Sequence, residues 1–315
     1  MISEQKLNNM NRKTATILII AIVLLFIGYI IFDLVFVREG PEVPVKRVAG
    51  TGSADPWRIS GIIDPAAGRV KAVAVDKQGD LVIGGENFLV CYNEARKLLW
   101  KKITNGPVSA IAIAEDTIYV TMDETVVVYN LDGEKLNEWG PFEDNSIITS
   151  IAANHSFIVV ADAGNKIILV LDRKGNLKNM IGKSGEPFIV PSPYFDVAID
   201  RFNNIYVANT GRRQIEKRDP EGRLISSFGE AGTAPEAFCG CCNPAHFALV
   251  PQGFITAEKG INRIKLLDRT GKFIEYVSSI NQFNPPVPLD VTSADGSTIY
   301  GANPADSKVY VFVRK

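Results

Sequence analysis

Six times along this chain a short apolar strand recurs, at spacings of 38 to 50 residues. The strands are "KAVAVD" (71–76), "SAIAIA" (109–114), "TSIAAN" (149–154), "FDVAID" (195–200), "AHFALV" (245–250) and "LDVTSA" (289–294). Aligned on their second positions, they place Ala72, Ala110, Ser150, Asp196, His246 and Asp290 in register. Each is followed by a turn and a second strand: "LVIGGE", "TIYVTMD", "FIVVADA", "NIYVANT", "GFITAEK" and "TIYGANP". A third alternating strand comes next, as in "TVVVYN" or "IILVLD". Polar turns such as "LDGEK", "DRKGN" and "DRTGK" then lead to an outer strand, as Asp and Gly do in tight hairpins. A unit of this kind cannot bury its own faces and must stack on its neighbours. Periods near 40–50 with several strands per unit predict β-propeller blades.

The sixth unit reaches Lys315 after its third strand. Its outer strand is expected from "PWRISGI" (56–62), upstream of the first unit. That pairing closes the ring and removes exposed sheet edges. The predicted fold is all-β: a six-bladed β-propeller of four-stranded blades over residues 57–315, preceded by one N-terminal transmembrane helix.

"FDVAIDRFNNIYVANTGRRQIEKRDPEGRLISSFG" (195–229) resembles an NHL repeat, and residues 150–177 and 247–273 do so more loosely. The "RI" pair of that repeat stands only at Arg263-Ile264, with Gln214 and Ile167 elsewhere. The resemblance covers about residues 68–315 and implies a six-bladed propeller. Family members include binding scaffolds, sensor domains of membrane kinases, and a few metal-dependent lyases and lactonases. Two histidines are too few for the multi-histidine zinc site of those lyases. Fold alone does not choose a function.

The N-terminus reads differently. Residues 1–13 form a polar tail, and residues 14–37 an apolar anchor that opens with "TATILIIAIVLLFIGYIIF", free of charge from 14 to 32. At about 1.5 Å per residue that run approaches the ~30 Å hydrocarbon core. No A-x-A site follows, so an uncleaved anchor fits better than a signal peptide. Arg12 and Lys13 abut the span, while Lys46 and Arg47 lie farther out, which predicts a cytoplasmic N-terminus and an extracytoplasmic body. Residues 38–56, rich in Pro, Gly and Val, read as a linker. The expected product is a single-pass membrane protein.

Lys+Arg total 34 and Asp+Glu 35, and the body carries no long basic run, which excludes nucleic acid as an expected partner. The stretch "GRRQIEKR" (211–218) is a local patch, read as a solvated strand face. Four cysteines are too few for a disulfide-built scaffold, but three of them fall within "CGCC".

That cluster, Cys239, Cys241 and Cys242, lies in the loop between blades four and five, just ahead of His246. Long loops on a rigid scaffold tend to carry function. Thiolates and imidazole suit Zn or Cu, so Cys239, Cys241, Cys242 and His246 are possible metal ligands. The C-x-C-C-x₃-H spacing also permits a redox pair of Cys239 with Cys241 or Cys242. A structural disulfide pinning the loop, with the third cysteine as apolar filler, is a further reading. All three stay open at this level. Cys91, inside "FLVCYN", reads as core.

Strand alternation places Val73, Ile111, Ile151, Val197, Phe247 and Val291 on one face, expected to pack between blades. The other face would put Asp196, His246 and Asp290 into one pocket at the channel mouth, beside small residues from blades one to three. Glu258 and Lys259, at a turn on the same end, are a possible ligand face or an exposed ion pair. Together these features favour a membrane-anchored binding or scaffold module that presents its cysteine-loop face to a protein or small-molecule ligand. The alternative is a metal- or redox-dependent enzyme with Asp196 or Asp290 as acid/base. Whether the chain is an enzyme is uncertain, and the balance leans against it.

Overall fold

A computed structural model of the chain describes residue 17 and residues 19–28, 56–261, 263–279, 283, 285 and 287–315. The chain divides into two units, Met1–Ala54 and Asp55–Lys315. In the first, residues 17 and 19–28 are helical, and the remainder of the expected anchor, 14–37, lies outside the described residues. The apolar side chains of that helix, Ile19 to Ile27, are open all round, from 46% to 74% exposed. Among the described residues no helix is long and apolar enough to cross a membrane.

The second unit is the propeller. Strand β1 (Trp57–Ile63) precedes the first full blade, which comprises β2 (Val70–Val75), β3 (Leu81–Gly85), β4 (Phe88–Tyr92) and β5 (Leu98–Ile103). Blade two holds β6 (Val108–Ala114), β7 (Thr117–Met122), β8 (Thr125–Asn130) and β9 (Lys135–Trp139). Blade three holds β10 (Ile148–Ala153), β11 (Phe157–Asp162), β12 (Ile167–Asp172) and β13 (Leu177–Ile181). Blade four holds β14 (Val197–Ile199), β15 (Ile205–Asn209), β16 (Gln214–Arg218) and β17 (Leu224–Phe228). Blade five holds β18 (His246–Val250), β19 (Gly253–Ala257), β20 (Ile264–Asp268) and β21 (Phe273–Ser278). Blade six holds β22 (Asp290–Thr292), β23 (Thr298–Asn303) and β24 (Lys308–Arg314).

Its fourth strand is β1, which pairs antiparallel with β24 from Trp57↔Arg314 to Ile63↔Val309. Closure is sealed from blade five as well. The Trp57 indole N–H donates to Glu275 Oε1 at 2.7 Å, and Arg314 Nη2 donates to the same oxygen at 2.6 Å.

The turns behave as their composition dictates. Asp172, Asp200 and Asp268 each accept two backbone N–H groups of the following turn at 2.7–3.0 Å, pinning the hairpins. Gly175 closes one such turn at φ +85°, and a Cβ there would lie 2.5 Å from the Trp139 ring of blade two. Only glycine permits both that backbone and that approach. Gly271 stands in the same relation to Phe228 of blade four.

The core lies between blades. Ala72 packs with Ile111, Ile118 and Val120 of blade two, whereas Val73 packs with Val309 and Val311 of blade six. The two faces of an inner strand therefore meet two different blades. What the channel receives is the inner edge of each sheet, whose backbone groups need partners.

Candidate functional site

Edge partners come from the aligned positions Asp196 and Asp290. Asp196, just before β14, accepts the Ser150 hydroxyl and the N–H of Val197 on one oxygen, and the Phe247 N–H at 2.7 Å on the other. Asp290, the first residue of β22, accepts the Val73 N–H at 2.8 Å. Each carboxylate thus reaches from its own blade to the inner strand of the next. His246, opening β18, stands between them, with Nδ1 3.9 Å from Asp196 Oδ2 and 3.9 Å from Asp290 Oδ1. The structure brings all three side chains together.

They border a cavity of about 220 Å³ on the channel axis, lined also by Ser109, Ala110 and Ser150. The side chains of His246 and Asp290 are each 23% exposed, so the cavity reaches them, while that of Asp196 is 9% exposed. Burial pushes the Asp196 carboxyl above the usual range, against His246, Ser150 and the N–H donors, which favour its ionised form. Burial also raises Asp290, to about 6, with the Asp196 charge adding and His246 opposing. Two such acids, each 3.9 Å from the imidazole, can accept hydrogen bonds from a small polar group.

The long loop between β17 and β18 covers one flank of this mouth. Its anchor is Glu258, at the end of β19. Glu258 is 1% exposed and forms ion pairs with Arg263 Nε at 2.8 Å and Lys265 Nζ at 3.0 Å. Arg263 Nη2 and Lys265 Nζ both donate to the Ala237 carbonyl, at 2.9 and 2.7 Å, and the Cys239 N–H donates to Glu258 Oε2 at 3.2 Å. Phe238 is fully buried with the Lys265 ammonium 4.5 Å from its ring centre. Burial lowers Lys265 to about 8. Glu258 is therefore neither a ligand-facing group nor half of an exposed pair with Lys259, as its place in "TAEKG" suggested; the loop folds over it. Lys259 is half-buried and lies 4.8 Å from the Tyr194 ring centre, and Tyr194 meets His246 edge-on at 6.0 Å.

The cysteines divide. Cys242 is buried, Cys239 is half-buried and Cys241 is exposed. Cys241 Sγ and Cys242 Sγ are 3.1 Å apart as free thiols. Among the described residues no group of three or more His, Cys, Asp or Glu side chains is arranged to hold a metal ion. Cys239, Cys241, Cys242 and His246, the expected Zn or Cu ligands, do not meet as a group of three or more in this arrangement. Asn243 ties the loop to the barrel, accepting Lys259 N–H at 2.8 Å and donating to the Cys239 carbonyl at 2.6 Å. Cys91 is core, its thiol pushed up to about 12 by burial.

The basic stretch 211–218 is occupied locally. Arg212 pairs with Glu186, Arg213 Nε donates to the Gly240 carbonyl at 2.9 Å, and buried Arg218 pairs with Glu216 at 2.6 Å. Sequence reading passed over Lys265, Arg263 as an anchor, Ser150 as a donor, and Asn243. The available signal was a charge flanked by apolar neighbours within a strand, at Lys265 in "RIKLLD" and at Glu216 in "QIEKRD".

Fold and site together define a six-bladed β-propeller with a polar channel mouth. The family model for the CPSF A subunit region matches residues 59–177, which span β1 and most of the first three blades. No curated protein matches the chain. Among solved structures, virginiamycin B lyase from Staphylococcus aureus is similar with a TM-score of 0.55 and 15% identity over 82% of this chain and 100% of that one. A protein of unknown function from Bacteroides caccae is similar with a TM-score of 0.53 and 15% identity over 68% of this chain and 83% of that one. At such identities the likeness is one of fold.

Proposed function

We propose that the protein is an NHL-like propeller, held at a membrane by its N-terminal apolar segment, that binds a small polar ligand at the channel mouth. The convergence of Asp196, His246 and Asp290 on one cavity carries this reading. The cavity suits a ligand with a cationic or hydrogen-bond-donating group, a primary amine above all, whether free or at the tip of a partner protein's side chain. Two carboxylates supply acceptors, and the buried ion pairs beneath the cysteine loop keep that flank rigid, so little ordering is lost on binding. A thermal-shift panel of small amines and polyols tests it. Saturable stabilisation by amines, absent in Asp290→Asn, is the expected result; no stabilisation by any member counts against the site.

The anchoring rests on the uncharged run 14–32 and on the all-round apolar surface of residues 19–28. The N-terminus is then cytoplasmic and the propeller extracytoplasmic. Alkaline phosphatase fused after residue 60 should be active, and activity of a cytoplasmic reporter there would reverse the topology.

A further inference from the structure

The channel mouth leaves Cys241 and Cys242 without a role, and the loop that carries them does not need them as a fastener. Ala237, Cys239 and Asn243 are already held by Glu258, Arg263, Lys265 and Lys259 through hydrogen bonds of 2.7–3.2 Å. A disulfide would add little constraint there.

We propose that Cys241 and Cys242 form a thiol–disulfide exchange site for an accessible disulfide, with Cys241 attacking and Cys242 resolving. The inference goes beyond the ligand reading of the channel mouth and does not depend on it. Three observations carry it. The sulfurs are 3.1 Å apart, so transfer between them needs little movement. Their exposure is unequal: Cys241 is open to solvent and Cys242 is 2% exposed, so an incoming disulfide meets Cys241 first. The surroundings also differ. Hydrogen bonding with the Cys242 thiol, followed by the charges of Lys259 and Arg213, holds Cys241 below the usual thiol range. Burial holds Cys242 above it. The Ser192 hydroxyl is buried near Cys242 without a hydrogen-bond partner among the described residues, which leaves it able to donate to the thiolate as that forms.

The step balances without an outside oxidant. The Cys241 thiolate attacks one sulfur of the substrate disulfide; that S–S bond breaks, a mixed disulfide forms, and the first substrate thiolate leaves. Cys242 gives up its proton to solvent, and its thiolate attacks the Cys241 sulfur. The mixed disulfide breaks and the second substrate thiolate leaves. The substrate gains two electrons and the cysteine pair loses them. Neighbouring Cα atoms stand about 3.8 Å apart across a trans peptide, below the ~4.4 Å lower end for disulfides. The bridge is therefore strained and readily reduced, so a thiol returns the pair to the dithiol after each exchange, and the forward step runs furthest against a disulfide with good leaving thiolates.

Full-length protein treated with dithiobis(nitrobenzoate), an aromatic disulfide, tests this by mass spectrometry. In the wild-type peptide 236–250, Cys241 and Cys242 should together lose two hydrogens, keep no adduct and release two aryl thiolates. Cys242→Ser should stop at a stable adduct on Cys241. Cys241→Ser should slow release from this loop by at least about tenfold, because only the buried thiol remains. Cys239→Ser should leave the endpoint unchanged. A lasting adduct on wild-type Cys241 with Cys242 free, or a bridge to Cys239, overturns the proposal, and the wild-type measurement decides even if a variant misfolds. The same endpoint reached with oxidised glutathione marks a small-molecule substrate, and reached with a disulfide-bonded protein, a protein one; either supports the site.

Discussion

The carboxylate of Asp290 accepts the backbone N–H of Val73 at 2.8 Å, joining the last inner strand to the first. The ring is thus closed twice: at its rim by β1 on β24, and at its axis by one acidic side chain that also faces His246. A residue with both duties links stability to the state of the site.

That linkage has a sign. Asp290 titrates near 6 in the folded chain against an ordinary 3.8, so the native state keeps a proton that the unfolded chain loses between those values. The associated stability is present below pH 3.8 and lost as pH rises through about 6. Asp290→Asn stays neutral and can still accept from Val73. Its stability relative to wild type should rise between pH 4 and 6 by on the order of 2–3 kcal/mol and then level off. Urea titrations across pH would show this; parallel curves would contradict it.

Glu258 holds two cations out of water. Glu258→Gln removes the only charge that compensates Arg263 and Lys265 among the ion pairs given above. A loss of about 3–5 kcal/mol is expected, as for other broken buried pairs. Residues 229–246 should become the first site of limited proteolysis. Unchanged protection of that loop would show that something else anchors it.

Gly175 packs against the Trp139 ring at positive φ. Gly175→Val combines an unfavourable backbone with a clash, so a loss of about 2–4 kcal/mol is expected by chemical denaturation. Gly185, also at positive φ, has open space around it and serves as the control. Its alanine variant should cost the backbone term alone, about 1–2 kcal/mol.

Trp57 is 2% exposed and packs with Phe283, Leu289 and Phe312 while its indole bonds Glu275. Trp57→Ala should cost about 3–5 kcal/mol, the range for large aromatic truncations. Amide exchange should speed up first in β1 and β24. Uniform acceleration would mean that closure is not the weak point.

Much of this architecture was legible because a repeat prints one strand pattern six times. Blade number, strand order and closure by a strand expected at 56–62 and found at 57–63 all follow from it, and alignment of the inner strands set Asp196, His246 and Asp290 at equivalent positions. The inner strands present their faces to neighbouring blades, so Ala72 faces the next blade as the aspartates do, and Ala110 lines their cavity. The site depends on how far a side chain reaches from the end of its strand. Glu258 was misread because its partners, Arg263 and Lys265, follow a turn that a linear reading treats as solvent. The cysteines resisted assignment because their spacing fits several chemistries, and only the separate fates of Cys239, Cys241 and Cys242 distinguish them. The membrane segment rests on its uncharged length in sequence, since most of it lies outside the described residues.

The central claim is that ligand binds where His246 meets Asp196 and Asp290. Calorimetric titration of the most stabilising small amine, on wild type, Asp290→Asn and His246→Gln, tests it most directly. The account predicts one site per chain in wild type and at least about tenfold weaker binding in Asp290→Asn, equivalent to the ~1.4 kcal/mol of one charged hydrogen bond. Binding of equal strength in all three proteins would place the ligand elsewhere and contradict it.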